Sequence, residues 1–153
     1  MSQESELAVS LVLTSVIIDI ERIGDYAKNV YDQHDRVREP WSHEGHFGAV
    51  REMVAQVLEC FDRVSTVLSS GDKAVAQTVM DEHHQISARC EKIIDDIIAH
   101  DGMGPRDAVV LALTCRFLKR ISAHLSNLAS SVVNPFDRIG FQPGTDPPED
   151  ADM

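Results

Sequence analysis

The stretch FGAVREMVAQVLECFDRVSTVLSS, residues 47–70, decides the fold. Within it Phe47, Val50, Val54, Val57, Phe61, Val64 and Leu68 recur at three- and four-residue steps. That spacing gathers apolar side chains on one face of an α-helix, whereas a strand would place them at every second position. Gly71 and Asp72 follow at once, the first suited to closing a helix and the second to capping the next.

Toward the C-terminus the same rhythm resumes in Ala76, Val79, His83, Ile86, Cys90, Ile93 and Ile97, and it predicts a helix reaching His100. Asp101 to Gly104 reads as a turn, and Pro105 suits the first position of a further helix. That helix is expected to end near Val133, before Pro135. Leu111, Leu118, Ile121, Leu125, Leu128 and Val132 line one edge of it, widened by Leu113, Phe117 and His124. Toward the N-terminus, Pro40 breaks a polar loop from Asp35 to His46. Before it, Leu13, Val16, Ile20, Ile23, Ala27 and Val30 predict a buried stripe on a helix from about Ser5 to His34. Such helices would each be roughly 40 Å long, and short connections make neighbours antiparallel. The expected architecture is therefore all-α, an antiparallel bundle of four long helices over residues 1–133. Residues 134–153 form a C-terminal extension whose acidic, proline-rich end predicts disorder.

Composition narrows the function. Formal net charge is -11, a field that repels phosphate backbones and argues against nucleic acid as a partner. Three cysteines, Cys60, Cys90 and Cys115, lie far apart with apolar neighbours at helical spacing, which predicts buried free thiols. The first residues carry acids and no Lys or Arg, unlike a signal peptide, and the apolar run Leu7 to Ile18 is too short to span a bilayer. The expected location is cytoplasmic, at most peripheral to a membrane.

Two helices echo each other. Ile20 to Val30 reappears, offset by 98 positions, as Leu118 to Leu128, with Arg22/Arg120, Ile23/Ile121 and Asn29/Asn127 identical. Shared register with both apolar stripes points to duplication.

Asp19-Ile20-Glu21-Arg22-Ile23-Gly24-Asp25-Tyr26-Ala27-Lys28-Asn29-Val30 resembles the signature helix of the PhoU family of phosphate-transport regulators. Gly71-Asp72 through Val79 to Ile86 is similar to that family's middle helix, and Arg120-Ile121 with His124 and Asn127 to its second signature. The likeness spans Val9 to Val133. It implies tandem three-helix repeats, of which this chain has room for the last helix of one and the whole of the next. A first helix without its usual partners would expose apolar side chains unless a second chain covers them, so a homodimer is expected.

Glu21 and Asp25 stand one turn apart on one helix face. Like charges at that spacing repel unless a cation lies between them, and oxygen pairs suit hard or borderline metals. The resemblance implies that this Glu-x-x-x-Asp pair binds iron or a similar transition metal such as zinc, with Asp81 and His83 as further candidate ligands. The bland reading is a solvated face, Asp25 being balanced by Arg22 or Lys28. The second signature departs from the pattern, carrying Lys119 and Ala123 at the acidic positions. His43 and His46 have HxxH spacing in a loop, a weak signal. His124 is expected at the core edge. No glycine-rich phosphate loop and no pair of Glu-x-x-His motifs occurs, so no enzymatic activity is expected.

Three functions compete. The resemblance implies a regulator of phosphate uptake and phosphate-starvation signalling that acts by contact with a phosphate transporter ATPase and a sensor histidine kinase, with metal bound at Glu21 and Asp25 tuning that contact. An alternative is the cytoplasmic PhoU-like domain of a larger sodium–phosphate transporter. A histidine phosphotransfer bundle with His84 as acceptor is disfavoured, because Ser87 stands where a lysine is wanted.

Overall fold

The computed structural model describes residues 3–99 and 102–134. Four helices follow one another, α1 (Gln3–His34), α2 (Gly45–Ser70), α3 (Lys73–Ala99) and α4 (Pro105–Val133), and no strand occurs among the described residues. The expected all-α bundle of four long helices is the observed architecture. The extension beyond Asn134, together with His100 and Asp101, lies outside the described residues.

Cross-helix contacts give the directions. Met53 meets Cys90 while Cys60 meets Glu82, so α2 and α3 are antiparallel. His83 meets Ser122 while Glu91 meets Lys119, and α3 and α4 are antiparallel too. Asp19 faces Asn127 while Tyr26 faces Phe117, which sets α1 antiparallel to α4.

Turn chemistry explains the sharp reversals. Gly71 adopts φ 71°, a left-handed conformation costly for other residues, and its N–H donates to Val67 O at 2.8 Å. Asp72 Oδ1 then accepts from the N–H groups of Ala74 and Val75 at 2.9 and 3.2 Å, capping α3 as expected. Helix α2 starts at Gly45, two residues before the apolar series. Gly48 is fixed by close approach: a Cβ there would lie 2.3 Å from the His43 carbonyl oxygen.

Helix α4 is the hub, packing along α1, α2 and α3. A helix touched on three sides must be compact nearly all round. Alongside Leu111, Leu118 and Leu125 it buries Thr114, Ser122, Ser126 and Ser130. The Thr114 hydroxyl donates to Val110 O at 2.8 Å and the Ser130 hydroxyl to Asn127 O at 2.8 Å. The Thr114, Ser122 and Ser130 hydroxyls thus donate within their own helix, and such short side chains let neighbouring backbones come close.

Two predicted stripes are corrected. In α2 the centre of the buried face is Met53, Cys60 and Val67; Val54 and Phe61 are half-buried and Leu68 is exposed. The helix sits between α3 and α4, so the apolar series marks one edge of a broader buried arc. In α1 only Ile23 of the expected stripe is fully buried; Val16 and Val30 are half-buried, while Leu13, Ile20 and Ala27 are exposed. Helix α4 is the one neighbour against which α1 packs extensively. A single neighbour covers a narrow arc, here the face carrying Val16, Asp19, Ile23, Tyr26 and Val30. The core therefore lies within α2, α3 and α4, with α1 laid along the outside of α4.

Candidate functional site at the seam of the first and last helices

Asp19 belongs to the core-facing arc of α1, one turn before Ile23, and is 7% exposed. A carboxylate so placed is tolerable only with hydrogen-bond donors. Helix α4 supplies them: Asp19 Oδ1 accepts from His124 Nδ1 at 2.7 Å and from Asn127 Nδ2 at 3.3 Å. The contact becomes an ion pair when the imidazole is protonated. Tyr26 stacks on His124 at 5.9 Å between ring centroids and 20° between planes, and leans on Phe117 at 6.1 Å. The expected core-edge position of His124 holds. Its partner Asp19 was not singled out by sequence, although an acid at a core position of an apolar run was the available signal.

The echo between α1 and α4 has a counterpart in space. Adding 98 to Tyr26 gives His124, and adding it to Asp19 gives Phe117. The contact Tyr26–Phe117 therefore maps onto His124–Asp19, while Tyr26–His124 maps onto itself. A local twofold passes between Tyr26 and His124, and the equivalent Ile23 and Ile121 are both buried.

The other seams are also polar and fully engaged. Cys60 Sγ donates to Glu82 Oε2 at 3.2 Å, and Arg63 reaches Glu82 at 2.9 Å and Glu59 at 3.3 Å. Burial, then the Glu82 carboxylate, pushes the Cys60 thiol up to about 12. The Ser122 hydroxyl donates to Lys119 O at 2.9 Å, so its oxygen accepts from the Nδ1–H tautomer of His83, also at 2.9 Å. Burial, followed by His84 and Lys119, holds His83 below the usual histidine value. Across the α3–α4 seam the neighbouring Cys90 thiol, followed by burial, raises the Cys115 thiol. All three cysteines are free and buried, as expected.

Glu21 and Asp25 are exposed on α1, and Asp25 lies 3.9 Å from Arg22. Asp81 is exposed on α3, where it accepts from Gln77 at 3.0 Å, and His83 is engaged with Ser122. Among the described residues no group of three or more His, Cys, Asp or Glu gathers in a way that could hold a metal. The four candidate ligands are therefore not brought together within one chain, and neither His43 nor His46 joins such a group. Lys119, which occupies an acidic position of the signature pattern, pairs with Glu91 of α3. His84 is exposed beside His83. Between the C-terminal half of α1 and the start of α2 runs an apolar groove of about 500 Å³, lined by Val30, Tyr31, Trp41, Val54, Ala55 and Leu58, with His34 and Arg51 also on its walls.

These features define an up-and-down helical bundle built around a central helix, with the first helix paired to it through a local twofold. Residues 50–132 match the PhoU domain family, and the chain belongs to that family. The match covers α2, α3 and α4 almost end to end and places the chain with proteins of a general regulatory role in phosphate transport. No curated protein and no solved structure gives a significant match. None of the helices among the described residues is long and apolar enough to cross a membrane.

Proposed function

We propose that this chain regulates phosphate uptake and phosphate-starvation signalling from the cytoplasmic side, by contact with a phosphate transporter ATPase and a sensor histidine kinase. The observation that carries the reading is the family match to residues 50–132, which coincides with the three-helix unit α2–α4. Polar contacts between α2 and α3 and between α3 and α4 hold that unit rigid, so it presents fixed outer faces to a partner. Contact rather than catalysis is the mode of action. A net charge of -11 favours basic partner surfaces and gives free phosphate no electrostatic attraction.

By resemblance, iron or zinc would be held at Glu21 and Asp25. Two exposed carboxylates form an incomplete donor set.

The test is a deletion strain carrying a phosphate-starvation reporter, grown in ample phosphate. The reading expects a derepressed reporter, restored by the intact gene, and co-purification of the ATPase with the tagged protein. A silent reporter with unchanged phosphate uptake would refute it.

A further inference from the structure

The local twofold shows what α1 lacks. Under the offset of 98, the outward residues Leu13, Ile17 and Ile20 are the counterparts of Leu111, Cys115 and Leu118. The α4 residues are at most 2% exposed beneath α2 and α3, whereas Leu13, Ile17 and Ile20 are 55%, 64% and 53% exposed. One face of α1 therefore has the chemistry of a buried helix face and no cover among the described residues. The stripe Val9, Leu13, Ile17, Ile20, Gly24 and Ala27 runs at steps of four, four, three, four and three residues, the seam of a helix meant to pack on another helix.

Side-chain size along that stripe selects the occupant. The N-terminal half is bulky and the C-terminal half small. A Cβ built on Gly24 would meet nothing within 4 Å, and Gly24 serves no turn or left-handed conformation. Pairing the stripe with itself in parallel would set small against small and leave a void. Antiparallel pairing sets Leu13 over Gly24 and Val9 near Ala27, with Ile17 facing Ile20. The same register matches helix ends, since α1 runs from Gln3 to His34 and those termini then face each other.

The groove beside α2 fits the rest. From the contacts Asp19–Asn127 and Tyr26–Phe117, the end of α4 at Val133 lies level with about residue 12 of α1, so the turns carrying Leu7, Val9 and Leu11 run past it. In the antiparallel register those overhanging turns reach the groove between α1 and α2 of a second copy, where Tyr31 and Leu58 are exposed. Glu6 arrives at the walls that carry His34 and Arg51, a favourable charge match. Two helices of 32 residues paired over roughly 48 Å, with the groove added at each end, are sufficient for the roughly 800 Å² per partner of a stable interface.

We infer that a second copy of this chain covers α1 through antiparallel α1–α1 pairing about a twofold near residues 18 and 19, each N-terminal overhang seated in the other's α1–α2 groove. The inference rests on the uncovered face and stands independently of the phosphate reading.

Sedimentation of the intact protein across a concentration series tests it, with mixed cross-linking to fix the register. The wild type should be a dimer, and Gly24→Leu, which fills the hole, should raise the dissociation constant by at least about tenfold while helicity by circular dichroism is kept. Leu58→Glu, on an exposed groove position, should weaken the dimer in the same direction. Leu13→Cys and Gly24→Cys proteins should form an intermolecular disulfide when mixed and oxidised, and neither should do so alone. A monomer at every concentration would overturn the inference, as would a dimer unmoved by both substitutions or cross-linking by either protein alone.

Discussion

Asp19 and His124, 105 positions apart, meet at 2.7 Å between Oδ1 and Nδ1 on the seam between α1 and α4. With the side chains only 9% and 20% exposed, water can replace little of what either loses. Asp19→Ala would leave the imidazole and the Asn127 amide without their acceptor, and the expected cost is about 3 kcal/mol. Asp19→Asn keeps an acceptor oxygen and should cost about 1 kcal/mol. Urea unfolding followed by circular dichroism measures both, and equal costs for the two variants would show that the carboxylate charge, rather than an acceptor oxygen, carries the contact.

His83 sets a pH dependence. Burial beside His84 and Lys119 lowers its pKa in the folded chain. Just below the ordinary histidine value the unfolded chain therefore binds more protons than the folded one, and stability must fall as pH falls through that window. Above it both states are neutral at this position and the contribution is constant. His83→Gln should flatten the difference in unfolding midpoint between pH 7 and pH 5 relative to wild type. A variant with the wild-type acid slope would place the titrating group elsewhere.

How much was legible in the sequence depends on how many neighbours each helix has. In α3, Ala76, Val79, Ile86, Cys90, Ile93 and Ile97 were predicted to be core and are buried. In α1 periodicity ran together two apolar arcs, one facing α4 and one facing outward, because spacing reports amphipathic character and not what covers it. Val16 and Ile23 belong to the first arc, and Leu13 and Ile20 to the second. Asp19 was unreadable for a related reason: the worth of a buried acid depends on donors from a helix about 100 residues away, and spacing within α1 does not contain them. Thr114 and Ser122 look like exposed residues by type, yet α4 buries both because it is enclosed by three helices.

The thiols should be inert in the folded protein. Cys60 is buried and raised to about 12, so its thiolate amounts to roughly one part in ten thousand at pH 8. Cys90 and Cys115 are closed to solvent at the α3–α4 seam. Iodoacetamide at pH 8 is expected to modify none of the three within an hour under native conditions and all three in guanidinium, as read by intact mass. Rapid native labelling would mean that α2–α3–α4 opens far more often than its packing implies.

The acid pair on α1 yields the sharpest test of what resemblance alone supplies. Glu21 and Asp25 stand at i and i+4 on an exposed face, where their repulsion costs a few tenths of a kcal/mol, and the 3.9 Å contact of Asp25 with exposed Arg22 contributes little. Glu21→Gln with Asp25→Asn should therefore change unfolding free energy by less than about 0.5 kcal/mol. A bound metal would stabilise the folded chain by mass action, in proportion to the logarithm of its concentration over its dissociation constant. Two carboxylates with no third ligand gathered beside them among the described residues bind too weakly for micromolar iron or zinc to exploit this. The expected melting temperature is thus the same with and without metal, in wild type and double variant alike. A rise confined to the wild type would show that ligands from outside the described residues complete the site, and elemental analysis of the purified protein would then identify the ion they hold.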